Sequence, residues 1–395
     1  MPPYLAGRDS EKREFDKLLD QTTIIENAIL TGLRGLGKTV LLETFKPLAI
    51  KKGWLWAGTD LSESTSITEE SLAVRLLTDL SVVTSSITVG LEEKRAIGLL
   101  PSTDLKPIQL NYGALLGIYG EIPGLVIDKL KGVFEFVWPH IQKLGKRGLI
   151  FAYDEAQNMA DHAAKEQYPL SLLLDLFQSI QRKNVPFMLV LTGLPTLFPK
   201  LVEARTFSER MFRVISLDAL NRAETDDAVR KPISQSRCPI ILEQEAMDLL
   251  WDITKGYPYF VQFVCRECFD VWVQNIREEC TPTEIPADSI IRKLDTDFFA
   301  GRWARATDRQ RDLLGVISTL VNCDAEFSVQ DVIESEANKK LEKSFSSSHV
   351  NQILSSLILA GLVYKNRHGR YSLAVPLLSD FVRRTLQSLG PPDAS

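Results

Sequence analysis

Eight residues near the start of the chain, Gly32-Leu33-Arg34-Gly35-Leu36-Gly37-Lys38-Thr39, constrain its fold more than any other stretch. They follow the order G-x-x-x-x-G-K-[ST], which suits a backbone curled around a polyphosphate. Glycines let the N–H groups turn inward, the lysine adds a point charge between the β- and γ-phosphates, and the threonine hydroxyl ligates Mg²⁺. Such a loop needs a buried strand before it and a helix after it. Asn27-Ala28-Ile29-Leu30-Thr31 is a largely apolar run suited to the strand, and Val40 through Phe45 opens a helix whose positive end faces the loop. Gly32, Leu33, Arg34, Gly35, Leu36, Gly37, Lys38, Thr39 and Val40 are therefore candidate nucleotide-binding residues, with ATP and Mg²⁺ as the expected ligands.

The rest of the chain repeats that alternation. Gly53 through Gly58 suits a second strand, and Thr68-Glu69-Glu70-Ser71 opens a helix in which Leu72, Leu76, Leu80 and Val83 recur at helical spacing. From about 84 to 124, Leu99-Leu100-Pro101, Gly113, Gly117, Gly120 and Pro123 break up modest apolar runs, and this stretch reads as an insertion. Helical periodicity resumes over 125–144. Strands are expected at 148–155, 186–193 and 212–217, with a helix over 170–183. Strands alternating with helices imply a parallel sheet covered on both faces.

The strand Gly148-Leu149-Ile150-Phe151-Ala152-Tyr153 runs into Asp154-Glu155. Two adjacent acids at a strand end can divide two tasks: Asp154 joins Thr39 in holding Mg²⁺, and Glu155 orients and polarises the water that attacks the γ-phosphate. Lys38 and Thr192 complete the catalytic candidates. Thr192, at the end of the next apolar strand, is either a contact to that water or phosphate or a threonine that simply favours strands. Arg205, Arg210 and Arg213 cluster before the last core strand. Arg210 is the preferred candidate for a finger acting on a neighbouring subunit's nucleotide; an ordinary solvated arginine is the alternative.

At 395 residues, 45% hydrophobic and 25% charged, the chain is expected to form two or three globular domains. No stretch reaches the roughly 18 consecutive apolar residues that cross a bilayer, and Met1-Pro2-Pro3-Tyr4 lacks the character of a signal peptide. A cytoplasmic location with no membrane partner is the expectation. Five cysteines without disulfide-like spacing agree with a reducing compartment. Cys265 and Cys268 form one C-x-x-C with no second pair, and two cysteines at i and i+3 on an amphipathic helix read as small core residues. A net charge of −5 argues against a surface coated in basic residues for nonspecific nucleic-acid binding, while leaving room for a local basic patch.

Beyond Leu220 helices dominate, at about 221–234, 243–255, 257–275 and 287–299, as in a helical lid. From about Arg302 three further helices precede two short strands flanking Gly369, the order of a winged helix-turn-helix. The expected domains are thus 1–220, with the insertion at about 84–124, then 221–300 and 301–390. In the last, Val350, Ile353, Leu354, Leu357 and Ile358 face inward, leaving His349, Asn351, Gln352, Ser355 and Ser356 on the open face. Asn351 and Gln352 are candidates for reading base edges, and Lys365, Arg367 and Arg370 on the hairpin for holding phosphates. Protein docking is the alternative use of such a module.

Together the loop, Asp154-Glu155, Leu5-Ala6-Gly7-Arg8-Asp9, Ser208-Glu209-Arg210 and Gly256-Tyr257-Pro258-Tyr259-Phe260 resemble the AAA+ and STAND-like P-loop ATPases, most closely the bacterial proteins similar to archaeal origin-recognition initiator ATPases. The resemblance implies an α/β P-loop ATPase core with a helical lid and a C-terminal winged helix, nucleotide switching, DNA or a protein as partner, and a nucleotide-dependent homo-oligomer. It also implies that Ser208-Glu209-Arg210 is similar to the arginine segment and Gly256-Tyr257-Pro258 to the lid motif. No arginine follows Gly256-Tyr257-Pro258 at second-sensor distance, which points to slow, switch-like turnover. A non-catalytic nucleotide-binding interaction protein and a DNA-binding transcription regulator are the alternatives.

Overall fold

Five short runs of branched and aromatic side chains account for the first half of the chain. The computed structural model describes residues 4–94, 104–236, 240, 242–277, 285–367 and 369–388. In it β1 (Asn27–Thr31), β2 (Trp54–Ala57), β5 (Gly148–Tyr153), β6 (Phe187–Gly193) and β7 (Phe212–Ser216) form a parallel sheet of order β2-β5-β6-β1-β7. β1, β5 and β6 are buried at every position, as strands covered on both faces must be. The covering helices are α1 (Asp9–Leu19), α2 (Lys38–Lys51), α3 (Glu69–Thr84), α4 (Tyr112–Glu121), α5 (Val126–Lys143) and α6 (Pro169–Arg182), followed by the short α7 (Leu197–Ala204) and α8 (Ser208–Met211).

One buried amide ties three strands together. Asn27, at the start of β1, accepts from the Leu189 amide at 2.7 Å and from Gln181 at 2.8 Å, and its own NH₂ donates to Gln181 and to the Met211 carbonyl. β1 is thereby fastened to β6, α6 and the residue preceding β7, with every polar atom satisfied.

The stretch expected as an insertion is more ordered than its glycines suggest. β3 (Thr88–Lys94) pairs antiparallel with β4 (Asp104–Gln109), and α4 follows, capped by Asn111, whose side chain accepts from the Ala114 amide. Leu110, Leu115 and Tyr119 bury themselves in the main core, and Thr84 donates to the Leu110 carbonyl at 2.7 Å. Gly117 and Gly120 lie where a side chain would meet nothing, so they cost helix propensity without breaking the helix. Leu99, Leu100 and Pro101 lie outside the described residues.

The second half is helical: α9 (Arg222–Gln235), α10 (Gln244–Thr254), α11 (Pro258–Arg277) and α12 (Ala287–Leu294), which runs through a π-helical turn at Asp295–Ala300 into α13 (Gly301–Ala304). Then come α14 (Asp308–Ser318), α15 (Val329–Glu334), α16 (Glu336–Lys340), α17 (Ser347–Leu359) and the antiparallel pair β8 (Val363–Arg367) and β9 (Arg370–Leu373). A closing helix, α18 (Leu378–Ser388), has no counterpart in the sequence reading. One apolar core runs from Val229 to Val382, with Phe299 stacked on Phe381 at 5.0 Å. The sequence boundary at about 300 is therefore a change of rhythm, with no break in packing.

Contacts group the chain into two units, Arg8–Gly32 with Lys38–Leu217, and Met1–Gly7 with Leu33–Gly37 and Asp218–Ser395. Cys268 is buried and Cys265 half-buried in the second unit, and burial pushes both thiols up to about 12, so neither is a thiolate at neutral pH. Cys238 and Cys280 lie outside the described residues.

Candidate nucleotide site

In the first unit Lys38 and Thr39 open α2, and Asp154 follows β5. The Lys38 ammonium donates to the Gly32 carbonyl at 2.8 Å, closing the glycine loop across its ends. The Thr39 hydroxyl donates to Asp154 Oδ2 at 2.5 Å, joining two positions 115 residues apart. Asp154 is 5% exposed, and its other oxygen accepts from the Glu155 amide at 2.8 Å. The strand end before it is tied to α3: the Tyr153 hydroxyl donates to Asp79 at 2.9 Å, and Arg75 grips the same carboxylate through two bonds. Burial, then the Asp79 charge, raises the Tyr153 phenol well above its ordinary value and keeps it a donor.

Glu155 is exposed and sits at φ 52°, a left-handed conformation uncommon for glutamate. Its carboxylate accepts from Gln157, a residue sequence reasoning missed. Gln157 also accepts from the Leu194 amide at 3.2 Å, and its carbonyl accepts from Lys200 at 2.8 Å. Burial lowers the Lys200 ammonium, against the pull of Asp161.

Thr192 pairs with Leu30 across β6 and β1, is fully buried, and its hydroxyl has no hydrogen-bond partner among the described residues. The Thr31 hydroxyl, next to Gly32, is likewise buried and unpartnered. A buried hydroxyl without a partner costs about 1–3 kcal/mol, so two of them at the carboxyl end of adjacent strands suit a polar ligand there.

The loop itself, grouped with the second unit, turns at Gly35 (φ 83°) and Gly37 (φ 84°). Gly35 is obligatory on a second ground, since a Cβ there would stand 2.9 Å from Tyr259 Cβ. Its carbonyl accepts from the Tyr259 amide at 3.1 Å, one of the donors that the first turn of α11 cannot satisfy internally. The glycine turns, the lysine and the hard-oxygen pair of Thr39 and Asp154 fit a magnesium nucleotide. Among the described residues no group of three or more His, Cys, Asp or Glu offers a separate metal site.

The structure disperses the arginine candidates. Arg205 is committed to Asp175 through both ends of its guanidinium, and Arg213 to Glu26. Arg210 is exposed on α8 and makes no ion pair among the described residues. On α17, Asn351 and Gln352 are exposed, with Asn351 donating to the Ser347 carbonyl at 2.9 Å. Ser356 is not on the open face: it is half-buried and accepts from Gln310 of α14 at 2.8 Å, because α14 packs along that edge. Lys365 is exposed, and Arg370 lies 3.6 Å from Asp331. The Arg367 side chain and His368 lie outside the described residues. No described helix is long and apolar enough to cross a membrane.

A model of a domain of unknown function, DUF8462, matches residues 296–382. No curated protein matches this sequence. Among solved structures, the Walker-type ATPase PABY2304 of Pyrococcus abyssi is similar over 96% of this chain and 96% of its own, with 15% identity and a TM-score of 0.56. The ADP form of the Aeropyrum pernix ORC2 protein is similar over 98% and 96%, with 13% identity and a TM-score of 0.57. The same ORC2 protein in its ADPNP–ADP complexes gives 98%, 96%, 14% and 0.52. At such identities the likeness is one of architecture, and the chain has the fold of the archaeal ORC-type and Walker-type P-loop ATPases.

Proposed function

We propose that this chain is an ATP-binding and hydrolysing molecular switch whose nucleotide state controls assembly on DNA or with a protein partner. The observation that carries the reading is the Thr39–Asp154 hydrogen bond, which brings the end of the phosphate loop to the acidic end of β5 beside the unpartnered Thr192 hydroxyl.

In this reading the loop amides from Gly32 to Val40 cradle the phosphates, and Lys38 leaves the Gly32 carbonyl to sit between the β- and γ-groups. Magnesium, held through Thr39 and Asp154, would neutralise charge on the phosphate oxygens. Thr192 donates to the γ-phosphate or to the attacking water, which satisfies its buried hydroxyl. Glu155, steadied by Gln157, orients that water and takes its proton as oxygen bonds to the γ-phosphorus and ADP departs. Arg210, without an ion pair among the described residues, is the arginine available to a neighbouring copy's nucleotide. Slow turnover agrees with an exposed Glu155 and with the lack of an arginine close after Gly256-Tyr257-Pro258. Asn351, Gln352, Lys365, Arg367 and Arg370 are assigned to nucleic acid, on a module read as a winged helix.

The test compares the wild type with Glu155→Gln. Calorimetry should show equal ATP affinity, while steady-state phosphate release falls at least about a hundredfold. Light scattering should show larger particles with a slowly hydrolysed ATP analogue than with ADP. No heat from ATP titrated into folded protein would end the proposal, and undiminished release by the variant would remove Glu155 from its role.

A further inference from the structure

A cleft of about 540 Å³ in the second unit is lined by Arg34 of the glycine loop, Arg302 of α13, Arg305, and the carboxyl end of α17 at Leu359–Leu362. Three arginines therefore line one space with a single acidic residue, Asp297, and the charges of Arg34 and Arg305 reach Arg302. Elsewhere in this acidic chain most arginines are matched: Arg75 with Asp79, Arg205 with Asp175, Arg222 with Asp248 and Arg384 with Asp295. Among the described residues none of the three cleft arginines has an ion pair. The Arg34 and Arg305 side chains are exposed and make no hydrogen bond among those residues either, so they do not serve to cap the carbonyls that end α17.

Arg302 is held in place without an acid. Its guanidinium lies 4.4 Å from the centre of the Phe298 ring and donates to the Phe298 carbonyl. Burial lowers its pKa, and the positive charge of Arg34 and, to a lesser extent, of Arg305 lowers it further, against an opposing contribution from Tyr259. Like charges are thus gathered, and one is fixed, in a space where the single lining carboxylate, Asp297, leaves an excess of positive charge. Planar guanidiniums match phosphate oxygens two by two. The ligand has no need of a base: the Phe298 face is already covered by Arg302, and Tyr259, Phe260 and Phe299 pack around the same ring, which leaves no platform for stacking.

We propose that the cleft formed by Arg34, Arg302 and Arg305 binds the phosphodiester backbone of nucleic acid. This deepens the nucleic-acid part of the reading above and is independent of its hydrolytic part. The contact is sequence-neutral. It also places a backbone phosphate on Arg34, inside the glycine loop, so nucleic acid and nucleotide bias the same eight residues and each alters the affinity for the other.

The test is fluorescence anisotropy of the full chain with labelled duplexes of two unrelated sequences, and with a single strand, from about 50 to 200 mM salt. Arg302→Gln/Arg305→Gln should weaken binding to both duplexes roughly tenfold or more and reduce the slope of log K against log salt by about two. Arg302→Lys/Arg305→Lys should recover most of that slope. Equal thermal midpoints and equal ATP heats would show that the variants are folded. Wild-type affinity and slope in the glutamine pair would overturn the proposal. If Lys365→Ala/Arg370→Ala alone then lost binding, the hairpin assignment would stand without it. A chain that binds no nucleic acid would also overturn it, as would loss of tripolyphosphate binding in the glutamine pair with DNA affinity unchanged, which would assign the cleft to a free polyphosphate.

Discussion

Asn27 shows how much one polar side chain can hold when it is fully satisfied. Replacing it with alanine strips partners from the Leu189 amide and from Gln181 and leaves them buried. Asn27→Ala is expected to destabilise the fold by about 2–4 kcal/mol, read as a lower urea midpoint at unchanged slope. The same residue marks the limit of sequence reading at this scale. Lys38, Thr39 and Asp154 were legible because phosphate chemistry dictates their type and spacing, and the structure joins Thr39 to Asp154. Asn27, Gln157 and Lys200 were not, because their importance lies in which backbone groups they meet, and those partners are up to 184 residues away. The left-handed backbone at Glu155 was equally hidden, since no residue type announces it.

Elements were legible where one signal dominated. Four of the core strands are short runs rich in Val, Ile, Leu or Phe, β2 is Trp54-Leu55-Trp56-Ala57, and all five lie within a residue or two of their expected limits. Within 84–124 the helix was hidden by glycines that interrupt its apolar runs, whereas α4 rests on its Asn111 cap and on Leu115 and Tyr119. α18 was missed because its apolar face, including Phe381 and Val382, finds partners on α14 and the π-helical turn that no local pattern displays. Pairs between elements carry pH dependence. Glu267 of α11 is 7% exposed and joins Lys293 of α12 at 2.5 Å and Arg266 at 3.0 Å. The Lys293 bond, opposed by burial and aided by Arg266, lowers its pKa from the ordinary 4.5. A depressed carboxylate stabilises the fold above its unfolded pKa and loses that contribution as pH falls through the folded value. Glu267→Gln should therefore lower the urea midpoint at pH 7, and the gap from wild type should close below about pH 4.5. A gap constant from pH 7 to pH 3 would count against the ion pair.

On the scale of the whole molecule, the glycine loop belongs to one unit by sequence neighbours and to the other by contact, since residues 33–37 group with Asp218–Ser395. The amide of Tyr259 rests on the carbonyl of Gly35, so the opening turn of a twenty-residue helix depends on where five loop residues stand. If the loop holds nucleotide as proposed, that single bond reports its occupancy. Hydrogen–deuterium exchange at Tyr259 should slow when ATP stiffens the loop and return to its former rate after washing the nucleotide out. A deuterium uptake curve indifferent to ATP, in protein that calorimetry shows to be loaded, would mean that the helix does not sense what the loop holds.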